Sequence, residues 1–574
     1  MCDILVFDQQ SISDLGGQRL SFKSSSYRSW FKWCHEEQTI YVTGWAFADN
    51  LLLADKSLAQ HIISRTDISQ PFSKILLNLN GNFAVVLETP DAIHLGVDLV
   101  RTIPLFYRQD GSRVIVSDDL RQIQLEHDSI DPNSLIEFAT AGLVTGPYTL
   151  YSSITALQSG ECVSWSATKE QQSQRYYEYA CSYDATASVE QLCEQFDEIV
   201  IAAFKRIIET LDGRQVVIPL SGGLDSRLVA AMIKRLGYDN LLCFSYGVPG
   251  NSESVRSQEV AKVLGYRWLQ IPYSVDQLKK AFNSVEMREY RSFATNGVSF
   301  PHHDDWLAIH TLRHRPEVQD DAIFMPGHTG DFICGSHLKY IFDPVWHDDP
   351  YAFNEAMIKK HYSLWENLVG LDHVRATIEN RLDEALGAFP NKTHENLACM
   401  YEYWEWQERQ AKYIINAVRI YDFFGYAWRI PLWDRAIVDF WKRIPISFKV
   451  NKFLYRTYLS SYDPMQVYQK DAPKAVWDRE RVIAQRKQNM RERLKESLRS
   501  NRLLSTPFYR YKKWRRHLQM YKTHPLGFAH TYGAFRYIFR EQSKRHAKSL
   551  LLKDILRQQY GIELSDVSQK ERST

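Results

Sequence analysis

Two spacings of hydrophobic residues divide the chain. Up to about residue 165 they come in short runs, "TIYVTGWAF", "NGNFAVVLE", "AIHLGVDL" and "PLFYRQDGSRVIVSDD", broken by turn residues at Gly44, Pro90-Asp91 and Asp110-Gly111. Such a pattern predicts packed antiparallel sheets. From about 190 the spacing changes to threes and fours. "VEQLCEQFDEIVIAAFKRIIETL" (189–211) reads as an amphipathic helix that leads into a buried strand ending at Leu220. Residues 241–271 read strand, turn, amphipathic helix, strand, the alternation of a parallel α/β sheet. A dense aromatic stripe, "YEYWEWQERQAKYIINAVRIYDFFGY" (401–426), reads as core.

The strand ending at Leu220 gives way at once to SGGLDS (221–226) and then to helical spacing. A helix N-terminus carries unpaired N–H groups and partial positive charge, so a tight glycine turn there makes an anion cradle. Gly222 and Gly223 let the backbone approach a phosphate closely, and Ser221 and Ser226 add hydroxyl donors. Asp225 would repel a phosphate unless a cation such as Mg²⁺ lies between them. The string is not a Walker loop, since G-x-x-x-x-G-K-[ST] is absent.

SGGLDS resembles the pyrophosphate loop of the ATP pyrophosphatases, and the segments downstream narrow the resemblance to the asparagine synthetase family. Residues 241–271 are similar to its second strand–helix unit. "IFMPGHTGDFICGS" (323–336) is similar to its second loop, "WRIPLWDRAIVDFWKRIP" (428–445) to its R-x-P-F-L-D segment, and "FKVNKFLYRTYL" (448–459) to its K-x-x-K-x-x-L-R segment. The resemblance implies that Ser221, Gly222, Gly223 and Ser226 hold the departing phosphates of ATP. It implies that Asp225 and Asp331 face Mg²⁺, and that Leu220, Tyr246, Pro326 and Gly327 line the nucleotide. Lys449 would neutralise charge at the α-phosphorus, with Lys452 as the second choice. The family's acids are missing at His328, Phe332 and Ala427. His328 is a proton acceptor for the incoming amine or a loop-stabilising side chain. Arg409 and Arg419 are candidates for gripping an acceptor carboxylate.

Residues 79–123 resemble the family's glutaminase half, an N-terminal-nucleophile hydrolase whose terminal cysteine uses its own α-amine as base. Cys2 fits that role after removal of Met1, yet Asp3 replaces the usual glycine. No R-G-P-D segment is present, and Thr43-Gly44 and Thr66-Asp67 only faintly echo the other substrate contacts. The fold expected is therefore an α/β/β/α sandwich over 1–175 with a divergent glutamine site. A pyrophosphate-loop parallel-sheet domain follows over 190–500, and a basic helical extension over 501–574.

A chain of 574 residues exceeds one ordinary core, in keeping with two or three domains. The eight cysteines are scattered, with no CxxC pair, and neither a signal peptide nor an apolar run long enough for a bilayer is apparent, so a cytoplasmic location is expected. From Lys470 to Lys548 there are 22 Lys and Arg against 6 Asp and Glu, a charge of +16 that leaves −14 for the rest of the chain. This is either a solvated helical face or the footprint of an anionic partner, and interleaved Tyr509, Tyr511, Trp514 and Tyr521 keep nucleic acid in view.

The expected reaction is ATP- and Mg²⁺-dependent adenylation of a carboxylate, by default aspartate. Ammonia, free or from glutamine, then captures the adenylate, releasing AMP and pyrophosphate. A sugar acid or a peptide or lactam precursor is an alternative acceptor, and a nucleic-acid modifier with the same loop is an alternative class. A homodimer is entertained.

Overall fold

A computed structural model describes residues 11–15, 18–66, 70–111, 113–166, 169–183, 186–338, 350–387, 394–468 and 546–568. Cys2, Asp67 and the basic stretch 470–545 lie outside the described residues.

The first half forms two sheets. Their strands are β1 (Ser11–Leu15), β2 (Gln18–Lys23), β3 (Phe31–His35), β4 (Gln38–Ala48), β5 (Leu51–Ala54) and β6 (Asn80–Glu88). They continue with β7 (Ala92–Val97), β8 (Phe106–Asp110), β9 (Arg113–Ser117), β10 (Thr155–Ala156), β11 (Glu161–Ser166) and β12 (Lys169–Arg175). One sheet has the order β1-β2-β9-β8-β10, the other β12-β11-β7-β6-β4-β3 with β5 on β4. Alternation along β6 shows why they stack. Ala84 and Val86 face Leu20, Val114 and Trp165 between the sheets, while Val85 and Leu87 face Leu58, Ile62 and Leu76. Those last three belong to α1 (Asp55–Thr66) and α2 (Phe72–Leu77), which cover the outer face of the larger sheet. A one-residue slip of β6 would exchange the two sets, so both buried faces hold one register. Beyond the smaller sheet, Phe106 joins a core shared with Phe138 of α3 (Pro132–Ala141) and with the second half of the chain.

That second half is built on β13 (Val216–Pro219), β14 (Leu241–Gly247), β15 (Arg267–Pro272), β16 (Ile323–Phe324) and β17 (Ala427–Trp428), all parallel in the order β15-β14-β13-β16-β17. Helix α4 (Val189–Glu209) leads in, started by a capping box between Ser188 and Gln191. Helix α5 (Leu224–Arg235) follows β13, and α6 (Ser252–Leu264) follows β14, capped by Asn251. The mixed α/β class, with one sandwich and one parallel sheet, is the one expected.

The aromatic stripe is core: Tyr401, Trp404, Trp406 and Tyr421 are buried. Its backbone is not regular α-helix, because Glu405–Ile414 is π-helical, a form that concentrates at functional sites. Contacts tie the halves together. Arg28 pairs with Asp422 at 2.6 Å, and the Trp406 indole N–H donates to the Leu99 carbonyl at 2.8 Å. Near the end of the chain the helix His546–Tyr560 buries Leu551, Leu552, Ile555 and Leu556 in the shared core. Among the described residues no helix is long and apolar enough to cross a membrane, and the described cysteines are free.

Candidate functional site

At the C-terminal end of β13 the parallel ladder runs one residue further, with Leu220 N–H donating to Phe244 O at 2.9 Å. The chain then turns. Ser221 N–H donates to Ser226 Oγ at 3.1 Å, and Gly223 N–H donates to Ser221 Oγ at 3.1 Å, so the two serines shape the loop before any ligand arrives. Gly223 is the N-cap of α5 and offers no side-chain acceptor, which leaves the helix N-terminus uncapped. This is the end of a helix at which an anion is favoured.

The second loop packs against the first with no room for side chains. A Cβ on Gly327 would lie 2.6 Å from Ser226 N, and one on Gly330 would lie 2.4 Å from the Asp225 carboxyl carbon. Two backbones in contact thereby bring Asp225 and Asp331 together. Gly222 is different: a Cβ there meets Arg256 Cβ at 3.4 Å, Arg256 Cγ at 3.5 Å and Glu253 Cα at 3.7 Å, all ordinary contacts. Gly330→Ala is therefore expected to destabilise the fold by about 1–3 kcal/mol and to suppress activity. Gly222→Ala is expected to keep the melting temperature but raise KM for ATP; an unchanged KM would remove the cradle role of that glycine.

Asp225 is the electrostatic centre. Burial raises its pKa to about 6, with Lys452 lowering it and Asp331 raising it. Its Oδ1 is buried and has no hydrogen-bond partner. Asp331 is half-exposed and is ion-paired with Lys452. Burial pushes the Asp331 carboxyl up, but Lys452 overrides this and holds it below the usual range. Two carboxylates beside an uncapped helix N-terminus, one with an orphaned buried oxygen, suit a hard divalent cation shared with phosphate oxygens, which needs few protein ligands. The residues present fit Mg²⁺.

The two lysines are placed apart. Lys449 closes the short helix Ile446–Lys449 and is fully buried, its Nζ donating to both Glu402 carboxylate oxygens at 2.8 and 2.9 Å. Its Cβ packs behind the second loop, where a Cβ on Gly335 would come within 2.6 Å. Asn451 and Lys452 then both adopt left-handed backbone, with φ of 61° and 60°. Each such residue costs on the order of 1–3 kcal/mol, and strain of this kind gathers at functional sites. The turn carries Lys452 over to Asp331.

Around this centre Tyr246, at the end of β14, stacks on Tyr273 with ring centroids 5.4 Å apart. Pro326 and Gly327 follow β16, where Met325 N–H still pairs with Val217 O at 2.9 Å. His328 has an unpartnered, buried Nδ1, and burial lowers its pKa to about 4, so the ring is neutral. Phe332 is core, between Tyr179 and Trp433, and Ala427 lies in β17, so neither position offers polar chemistry. Arg419 is committed to Asp422 and the Thr102 carbonyl. Arg409 shares the fully buried Glu405 with Lys360 and His361.

The "HHDD" run at 302–305 went unread in the sequence, although four titratable residues in a row were a signal. Asp305 acts electrostatically on Tyr246 and Tyr273, and burial, then Asp304, raises its own pKa to about 7. In the sandwich, Asp98 is saturated by Phe83 N–H, Val100 N–H and Thr102, and Thr43 is tied to the Ser29 carbonyl.

Comparison with known proteins places the chain in a family. The asparagine synthase model matches residues 203–534, and the glutamine amidotransferase domain model matches 69–177. A probable asparagine synthetase [glutamine-hydrolyzing] of Acanthamoeba polyphaga mimivirus is 25% identical over 285 residues, 47% of this chain and 48% of that protein. The chain thus spans about half the length of that curated relative. Among solved structures, the allosteric regulatory enzyme of purine biosynthesis aligns over 52% of this chain and 56% of its own, at 12% identity and a TM-score of 0.17. Glutamine phosphoribosylpyrophosphate amidotransferase from B. subtilis, complexed with ADP and GMP, aligns over 52% and 64%, at 11% identity and a TM-score of 0.14. Scores this low add nothing to the fold. The asparagine synthase model spans more than half of the 574 residues, and the chain belongs to the asparagine synthase family.

Proposed function

We propose that this chain is an ATP-dependent amide-forming ligase that adenylates a carboxylate and transfers ammonia to it, releasing AMP and pyrophosphate. The observation that carries the reading is the orphaned Oδ1 of Asp225, buried beside Asp331 and Lys452 where an uncapped helix begins. Ser221, Gly222, Gly223 and Ser226 would bind the β and γ phosphates through backbone N–H and hydroxyl groups. Leu220, Tyr246, Pro326 and Gly327 would border the nucleoside. Asp225 and Asp331 would hold Mg²⁺, which when bound screens the triphosphate charge. Lys452, rather than the internally paired Lys449, would face the charge that builds up as the acceptor carboxylate attacks the α-phosphorus. His328 is in the neutral state that a proton acceptor needs when ammonia attacks the acyl carbon, though the burial that keeps it neutral also weakens it as a base. The domain limits 1–175, 190–500 and 501–574 go with this proposal.

Aspartate is the default acceptor and glutamine the default nitrogen source. A second reading, amidation of another carboxylate such as a sugar acid or a peptide precursor, is favoured by Phe332 and Ala427, which give the acceptor side no acids. Pyrophosphate and AMP release with aspartate, uronic acids, a peptide acid and tRNA would separate these readings. ADP in place of AMP with every acceptor would sink the proposal. Cys2→Ala is expected to abolish glutamine-driven turnover and spare ammonia-driven turnover; equal loss of both would remove the glutaminase role.

A further inference from the structure

The helices Val275–Phe282 and Val285–Thr295 meet the helix His546–Tyr560 around a cavity of about 360 Å³. Its walls carry three cations, Lys279, Arg288 and Arg291, against one carboxylate, Asp554. Among the described residues no carboxylate pairs with Lys279 or Arg288. What fixes Arg288 is neutral, since its guanidinium donates to the Asn283 carbonyl at 3.0 Å. Arg291 is 4% exposed, and its Nε donates to His303 Nε2 at 3.1 Å. Its guanidinium carbon also lies over the Phe282 ring, 5.3 Å from the centroid. Burial, then Arg291 itself, keeps the His303 imidazole neutral, so this contact orients the guanidinium without cancelling its charge. Asp554 meets Arg557 of its own helix at 3.8 Å.

We propose that this cavity binds the phosphate group of a small hydroxylated molecule, at a site distinct from the phosphate loop. Three cations against one carboxylate leave two positive charges in excess, the complement of a phosphate dianion. A concave wall of one sign focuses the field and draws in the opposite charge. The cations come from two neighbouring helices, so the ligand must offer acceptor oxygens in several directions. A tetrahedral phosphate offers three, whereas a carboxylate offers two in one plane, enough for a single guanidinium fork. The cavity is larger than a phosphate alone needs and sits at the low end of the roughly 300–1,000 Å³ typical of small-molecule sites. Asp554 and Gln558 line the remainder, and a carboxylate and an amide are partners for hydroxyl groups. The inference stands apart from the adenylation reading, because no residue of 221–226, and neither Asp331 nor Lys452, lines this cavity.

Calorimetric titration of the full chain, in EDTA and without nucleotide, tests it with inorganic phosphate as the probe and acetate as the planar control. Phosphate is expected to bind saturably and about tenfold tighter than acetate, the value of one charge-assisted hydrogen bond. Lys279 and Arg288 are exposed, so Lys279→Gln and Arg288→Gln should each keep the wild-type melting temperature and weaken phosphate about tenfold. Asp554→Asn removes the opposing charge and should tighten phosphate, a gain that a merely structural role would not produce. Gly222→Ala acts on the phosphate loop and should leave this titration unchanged. Equal affinity for phosphate and acetate, or no saturable binding, overturns the proposal. So does phosphate binding that survives both neutralising substitutions or disappears in Gly222→Ala.

Discussion

Asp225→Asn is expected to lower pyrophosphate release by about 10²–10³-fold while the protein stays folded. The substitution keeps the shape of the side chain and removes the charge that would hold a divalent cation over the phosphates. The stability half of the expectation follows from the sign of the pKa shift. Burial lifts Asp225 from 3.8 to about 6, so the folded state binds its proton more tightly than the unfolded chain does. This group therefore favours the fold at low pH, and its contribution is lost progressively as pH rises through that window. Above it, the nucleotide-free protein holds a carboxylate that burial disfavours, and the neutral amide relieves this. The melting temperature of Asp225→Asn at pH 8 should accordingly equal or exceed that of the wild type. Mg²⁺ with a non-hydrolysable ATP analogue should raise the wild-type melting temperature and leave that of the variant where it is. A variant that still releases pyrophosphate within a few fold of the wild type would dismantle the site.

Much of this was legible in the residues. Alternation in "NGNFAVVLE" became β6 with two buried faces, and the threes and fours of 189–211 became α4. The loop at 221–226 was readable because its chemistry is local: two hydroxyls, two glycines and a carboxylate within six residues. What the sequence hid depends on contacts between distant segments. Gly327 and Gly330 look like ordinary turn glycines until the first turn of α5 is seen against them. The fate of Arg409 was partly hidden: Glu405, four residues before it, is a helix neighbour, but Lys360 and His361, which share that carboxylate, come from a distant segment. Lys449 and Lys452 are three residues apart and indistinguishable by type. Only the left-handed turn at Asn451, a residue that tolerates that backbone, and at Lys452, which gives no such cue, sends them to different places. Cys2 and the basic stretch 470–545 lie outside the described residues, so the glutaminase nucleophile and an anionic partner still rest on sequence alone.

Those two lysines yield opposite expectations. Lys452→Met removes a cation paired with the half-exposed Asp331, and pairs of that kind contribute about 0–1 kcal/mol to stability. The same cation also faces the buried Asp225, so the variant's melting temperature should hold below about pH 6, where Asp225 takes up a proton, and fall at pH 8, where that carboxylate has lost its counter-ion. Its adenylation rate should fall by about 10²–10³-fold, the cost of losing a cation aimed at charge that develops in the transition state. Lys449→Met strands Glu402, 2% exposed, with no counter-ion in the core, although the Cys181 thiol still donates to it at 3.3 Å. Breaking a buried pair from one side costs about 3–5 kcal/mol, so this variant should unfold early and lose activity for that reason. A double variant separates the causes. In Lys449→Met/Glu402→Gln the uncompensated charge is gone, and residues in direct contact do not behave additively. Stability should return toward the wild type, and adenylation with it. A double variant that folds yet stays silent would return the catalytic role to Lys449, while an active Lys452→Met would take it from Lys452.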